Sequence, residues 1–178
     1  MSFEDVIKGA RRRPLFAAAS TTAEVDLDRS AIERLLPHRP PMLLVDRISA
    51  VDLQQQALRA HRRIDPEDPL LAGHFPGDPV YPGALLVEAM GQASLCCHQL
   101  LELGRHQVNE DDRPRPLRLL RVHHALFQAE TRPGDSLTLL SRRLSADSYT
   151  VVCVGQVLRD DLVCATAVME VFLVEEGP

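Results

Sequence analysis

His74 and Glu88 are the two residues of this chain best suited to acid–base chemistry. His74 sits in Gly73-His74-Phe75-Pro76-Gly77-Asp78-Pro79-Val80-Tyr81-Pro82-Gly83, a stretch punctuated by proline and glycine. Glu88 follows in an almost wholly apolar run that reaches about Leu101. A histidine neutral at physiological pH can take a proton. A carboxyl buried among apolar side chains favours its protonated form, which can give one. Plainer roles stay open at this point: His74 as a structural or exposed residue, Glu88 as a buried group hydrogen-bonded to backbone or to Gln92. Gln92 lies one helical turn beyond Glu88 and shares its face, so it could orient the carboxyl, touch a substrate or pack. Gly83 stands where the helix should open. First-turn N–H groups lack intrahelical acceptors, and glycine lets another group come close, so a polarised carbonyl could bind there. An ordinary turn is the alternative.

The elements that must position these residues can be read from pattern. Pro82 suits the first turn of a helix over 82–101, and Gly104 suits its end. Apolar residues surround that helix, which therefore should be buried, with Glu88 and Gln92 as polar exceptions. Upstream, Ser30-Ala31-Ile32-Glu33 fits a capping box for a short helix stopping at Pro37. Met42 to Val45 reads as a strand or buried extended segment, residues 51–64 as one strand, and Asp65 to Pro69 as a loop. Residues 117–128, 136–145, 149–158 and 162–174 are strand-like and separated by turn residues. They predict an antiparallel meander wrapped around the helix, an α+β fold. Residues 1–26 look like a flexible extension with a short helix possible at 2–9, docking onto a partner subunit or neighbouring protein being the alternative, and 27–178 form the domain.

Bulk properties exclude some functions. The 20 Lys and Arg against 25 Asp and Glu leave a net charge of −5, and aromatics are only 4%, which argues against nucleic-acid binding. The cysteines Cys96, Cys97, Cys153 and Cys164 form no C-x-x-C pair and lie in apolar runs, as reduced thiols in a cytoplasmic protein would. The histidines and cysteines show no metal-ligand spacing. Glu88, Gln92 and His98 interrupt the longest apolar stretch, so no membrane-spanning helix is expected. A Gly-x-Ser-x-Gly elbow and a glycine-rich phosphate loop are both missing from the sequence.

Three motifs together carry a resemblance. They are Leu36-Pro37-His38-Arg39-Pro40-Pro41-Met42-Leu43-Leu44-Val45-Asp46-Arg47, then Gly73-His74-Phe75-Pro76-Gly77, then Pro82-Gly83-Ala84-Leu85-Leu86-Val87-Glu88-Ala89-Met90-Gly91-Gln92. In order and spacing the chain resembles, over about residues 30–173, the (3R)-hydroxyacyl-[acyl carrier protein] dehydratases of bacterial fatty acid synthesis. The resemblance implies a hotdog fold, a long helix wrapped by an antiparallel sheet, working as a homodimer or trimer of dimers. It implies that His74 of one subunit meets Glu88 of the other, that the Gly83 N–H polarises the thioester carbonyl, and that no cofactor is needed. Phe75, Tyr81 and Pro82 flank these positions and stand with Gln92 as substrate-binding candidates. The partner implied is an acyl carrier protein, acidic and so drawn to basic residues such as Arg115, Arg118, Arg121 and Arg132.

Several departures point toward a specialised polyketide or polyene pathway. Asp78-Pro79-Val80 looks like the branch that also isomerises the double bond, while Glu88 matches the dehydratase-only branch. Pro66-Glu67-Asp68 replaces the family's usual Asn-Glu, and Gly91 stands where alanine is usual. A hotdog thioesterase and a non-catalytic acyl-binding subunit are the competing functions.

Overall fold

A 21-residue helix, Gly83–Leu103, organises the molecule, and in the computed structural model, which describes residues 3–174, one antiparallel sheet curls around it. The helices are α1 (Phe3–Ala10), α2 (Arg29–Leu35), α3 (Pro69–Gly73) and α4 (Gly83–Leu103). The strands are β1 (Ala23–Leu27), β2 (Arg47–Asp52), β3 (Ala57–Arg63), β4 (Leu117–Phe127), β5 (Ser136–Ala146), β6 (Thr150–Arg159) and β7 (Leu162–Leu173). Their order across the sheet is β1-β2-β3-β5-β6-β7-β4. This is the α+β hotdog arrangement. Residues 1–2 of the expected extension and 175–178 of the expected domain lie outside the described residues.

The sequence signals for α4 act as expected. Pro82 precedes its first residue, and Gly104 closes it in the left-handed region at φ 63°. Leu86, Ala89, Met90, Ala93, Cys96 and Leu100 are buried against the inner face of the sheet. Contact is tightest at Gly155 on β6, where a Cβ would come within 2.6 Å of Met90 Cβ; only glycine lets helix and sheet approach so closely.

Several expectations are corrected. Residues 51–64 are not one strand: β2 turns into β3 through Leu53 to Gln56, with Gln56 at φ 53°. Asp52 fastens that turn, its carboxylate accepting from the Gln55 N–H and side chain, each at 2.8 Å. The last four strands are not a simple meander, because among the described residues β4 pairs only with β7, and the eight residues between β4 and β5 carry the chain across to β3. Ser30 does not cap α2; Asp28 does, accepting from the Ala31 N–H at 3.0 Å. The Asp65 to Pro69 loop runs directly into α3, whose N-cap is Asp68. Met42 to Val45 forms no strand: the Met42 N–H closes a turn onto the Arg39 carbonyl at 2.9 Å, and Leu43, Leu44 and Val45 follow as buried residues without regular structure.

The extension is also not the loose arm expected from its composition. Residues 3–22 lie across the outer face of the sheet, and β1 then joins it at the edge. Ile7 packs with Val152, Val154 and Val168; Phe16 packs with Ala50, Leu140 and Leu158. The buried Gln156 side chain on β6 accepts from the Leu15 N–H at 2.9 Å and donates to the Ala10 and Arg13 carbonyls. The anchoring partners are more than a hundred residues away in sequence, so local composition carries no sign of them.

Candidate active site

His74 follows the short helix α3, and its backbone and ring are both fixed by one residue. The Val80 N–H donates to the His74 carbonyl at 2.8 Å, and the His74 ring nitrogen Nδ1 lies 2.8 Å from the Val80 carbonyl. A carbonyl can only accept, so Nδ1 is the donor, and in the neutral ring Nε2 is left as the acceptor. That is the tautomer a general base needs. The Phe75 ring stacks on the imidazole with centroids 4.2 Å apart, supporting it from one side. Phe75 itself is largely exposed and lines a different surface depression, beside Pro66 and Leu71.

His74 opens onto a groove of about 490 Å³ shared with Tyr81, Gly83, Leu86 and Phe127. Tyr81 is buried and anchored through its N–H, which donates to the Thr131 carbonyl at 2.7 Å. Burial pushes the Tyr81 phenol above its ordinary pKa. Pro82 contributes through its carbonyl, which accepts the Leu85 and Leu86 N–H groups at the helix start. No side chain caps α4, so the Gly83 N–H at its first position is left without an intrahelical acceptor, at the end of the helix that borders the groove. A Cβ on Gly83 would stand 2.9 Å from Phe127 Cε1, so the glycine keeps this corner open.

Glu88 occupies a second cavity, of about 110 Å³, between α4 and the inner face of the sheet. Its carboxylate Oε1 accepts from Gln92 Nε2 at 2.8 Å. The same Nε2 donates to the Met42 carbonyl at 2.7 Å, and Gln92 Oε1 accepts from the Leu44 N–H at 2.7 Å. Gln92 is buried, and both ends of its amide are engaged by protein. It therefore ties the Met42 to Leu44 segment to α4 and holds the carboxylate at the same time. That is the orienting arrangement. Its amide leaves little for a substrate to bind, although the residue borders the cavity. Glu88 is less buried than its apolar neighbourhood implies, with 34% of its side chain exposed. The reason is that Ala84, Val87, Glu88, Gly91 and Leu95 form one helix stripe the sheet does not fully cover.

One residue at this cavity was not singled out from the sequence as a site residue. His38 Nε2 stands 3.4 Å from Glu88 Oε1. It lies within the Leu36 to Arg47 motif, in a proline-rich loop braced by the Arg39 guanidinium on the Leu36 and His38 carbonyls. Its place in that motif was the available signal. Within one chain, then, His74 and Gly83 line one cavity, and Glu88, Gln92 and His38 line another. Of the arginines offered for a carrier protein, Arg118 and Arg121 are exposed on β4, while Arg132 is neutralised by Asp78 and Glu130.

A family profile for the FabA-like domain matches residues 36–168, a range that includes His38, His74, Gly83, Glu88 and Gln92. The chain belongs to the FabA-like family. Among curated members, it is 30% identical over 151 residues to the 3-hydroxyacyl-[acyl-carrier-protein] dehydratase FabZ of Aliarcobacter butzleri, covering 84% of this chain and 99% of that one. It is 41% identical over 109 residues to the FabZ of Chlamydia trachomatis serovar L2, covering 61% of this chain and 67% of the other. Among solved structures, the dehydratase heterocomplex ApeI:P from Xenorhabdus doucetiae superposes with a TM-score of 0.66 at 19% identity, over 82% of this chain and 91% of its own. That likeness speaks for the shared fold.

Proposed function

We propose that this FabA-like protein dehydrates (3R)-hydroxyacyl thioesters carried on an acyl carrier protein, giving trans-2-enoyl thioesters and water. The observation that carries the proposal is the fixed tautomer of His74, whose acceptor nitrogen Nε2 shares a groove with the uncapped start of α4. The thioester carbonyl would accept from the Gly83 N–H, which makes the α-proton more acidic. His74 Nε2 takes that proton, and the C–H electron pair forms the new double bond. The β-hydroxyl leaves with its C–O electron pair and is protonated by Glu88, directly or through water, so that water departs. Return of the proton from His74 to the glutamate resets the site. Nothing in this sequence of steps calls for a cofactor. His38 would stabilise Glu88 in its ionised moment, and Gln92 would hold it in place.

The two cavities support a site built from two copies of the chain, His74 from one and Glu88 from the other. Two unsatisfied surfaces favour such a dimer. The edge strand β4 leaves Leu119, Leu120, Val122 and Phe127 exposed, and the apolar stripe beside Glu88 on α4 is only partly covered. Among the described residues no helix is long and apolar enough to cross a membrane. The free thiols, all buried, fit a cytoplasmic enzyme.

The test is enoyl formation from a carrier-bound 3-hydroxyacyl substrate by the wild type, His74→Ala and Glu88→Gln. A positioned acid or base contributes ~10²–10⁴-fold, so each variant should lose at least that much kcat while keeping its thermal transition. Near-full activity in both variants would overturn the residue assignment. Release of free thiol without enoyl product would instead point to a thioesterase.

A further inference from the structure

The cavity below Glu88 does not end in hydrocarbon. It follows one face of α4 from Glu88 past Gln92 and Leu95 to His98, with Leu119 and Met169 among its apolar walls. His98 is only 2% exposed. Its Nδ1 faces Arg143, whose guanidinium nitrogen is 3.3 Å away, with the Glu102 carboxylate at 4.0 Å. A guanidinium can only donate, so Nδ1 accepts and the neutral ring carries its proton on Nε2. Burial lowers the His98 pKa; Glu102 acts in the opposite direction, and Arg143 and Arg115 act with burial, which keeps the ring neutral. On the side turned away from Arg143, Nε2 is buried and has no hydrogen-bond partner among the described residues. Such an orphan donor is destabilising in apolar surroundings. Ser94, whose hydroxyl accepts from Ser141 at 2.9 Å, lines the same end of the cavity and makes it more polar still.

We propose that His98 reads the far end of the acyl chain, so that the preferred substrate is a 3-hydroxyacyl thioester carrying an oxygen acceptor, a hydroxyl or carbonyl, near its other end. The inference rests on the dehydratase reading of the site and adds a substrate class to it. Its distance can be worked from the helix. Glu88 and His98 are ten residues apart, or ~15 Å at 1.5 Å per residue, and an extended chain advances ~1.2 Å per bond, so the oxygen lies about a dozen bonds beyond the reacting carbon.

Two sets of pantetheine thioesters test this, one methyl-ended and one ending in a hydroxyl, at matched lengths around that distance. Wild-type kcat/KM should favour the hydroxyl-ended series by about tenfold or more, because a buried donor rejects a ligand that leaves it unpaired. His98→Leu should bring the ratio to within about twofold, and His98→Gln, which keeps an N–H at similar reach, should recover part of it. Thermal transitions confirm that both variants fold. A wild-type ratio near one, or an unchanged ratio in His98→Leu, would overturn the inference. The same pairs lacking the 3-hydroxyl are also measured by calorimetry as plain ligands. Absence of enoyl product would then mark failure of the dehydratase reading, whereas equal affinity for the two series would mark failure of this one.

Discussion

Replacing Gln92 by leucine should separate architecture from chemistry at the Glu88 cavity. The wild-type amide makes three bonds, to the Leu44 N–H at 2.7 Å, the Met42 carbonyl at 2.7 Å and Glu88 at 2.8 Å. Leu44 is buried, so its stranded N–H costs ~1–3 kcal/mol. Met42 is 46% exposed, so water can reach its carbonyl and that loss is nearer ~1 kcal/mol. The Glu88 bond is discounted for the same reason, since the carboxylate is partly solvated. Leucine recovers on the order of 1 kcal/mol in apolar contact. The net loss is about 1–3 kcal/mol, or ~2–12 °C in Tm for a chain of this size. Urea titration should show a lower midpoint with an unchanged slope. In the dehydration assay kcat should fall about tenfold with little change in KM, as expected when a positioned acid is loosened. A Gln92→Leu protein within ~0.5 kcal/mol of wild type and with full kcat would refute the orienting role.

Three further outcomes are expected. Asp52 is buried, and burial raises its carboxyl, but hydrogen bonds from Gln55, Thr21 and Thr22 outweigh that and hold it well below the usual carboxylate range. Its stabilisation is therefore full above the unfolded value of ~3.9 and is lost as pH falls toward the folded one; the stability gap between wild type and Asp52→Asn should narrow by ~1–2 kcal/mol between pH 4 and pH 2, and a gap constant from pH 7 to pH 2 would contradict this. Phe16→Ala should cost about 3 kcal/mol in urea unfolding, since the ring is 5% exposed on the outer face of the sheet, whereas a loose arm would cost under ~0.5 kcal/mol. Reversing charge at Arg118 and Arg121 together should raise KM for carrier-bound substrate and leave a pantetheine substrate unaffected; equal effects on both would remove these arginines from carrier docking.

What the sequence made legible was local. Pro82, Gly104 and the apolar run between them define α4 because each acts on its own few residues. His74 and Glu88 stood out for the same reason, each being an ionisable group in a distinctive short context. The β2–β3 turn was hidden because Leu53 to Gln56 contains no glycine or proline, and its fastener, Asp52, draws on Thr21 and Thr22 from the arm. The packed arm depends on Gln156, and the position of β4 depends on β7; neither partner is adjacent in sequence. His38 is fifty residues from Glu88, and no periodicity links them. The partial exposure of Glu88 follows from which helix stripe the sheet leaves uncovered, a property of the assembled fold.

The central claim is that each site joins His74 of one copy to Glu88 of another, and subunit mixing tests it most directly. His74→Ala and Glu88→Gln proteins, each inactive alone, are unfolded together and refolded at equal amounts. Half of the resulting dimers should be mixed, and each mixed dimer holds one intact site, so activity should return to about a quarter of wild type. No recovery, with mixed dimers demonstrated by mass spectrometry, would contradict the shared site and return both residues to a single chain.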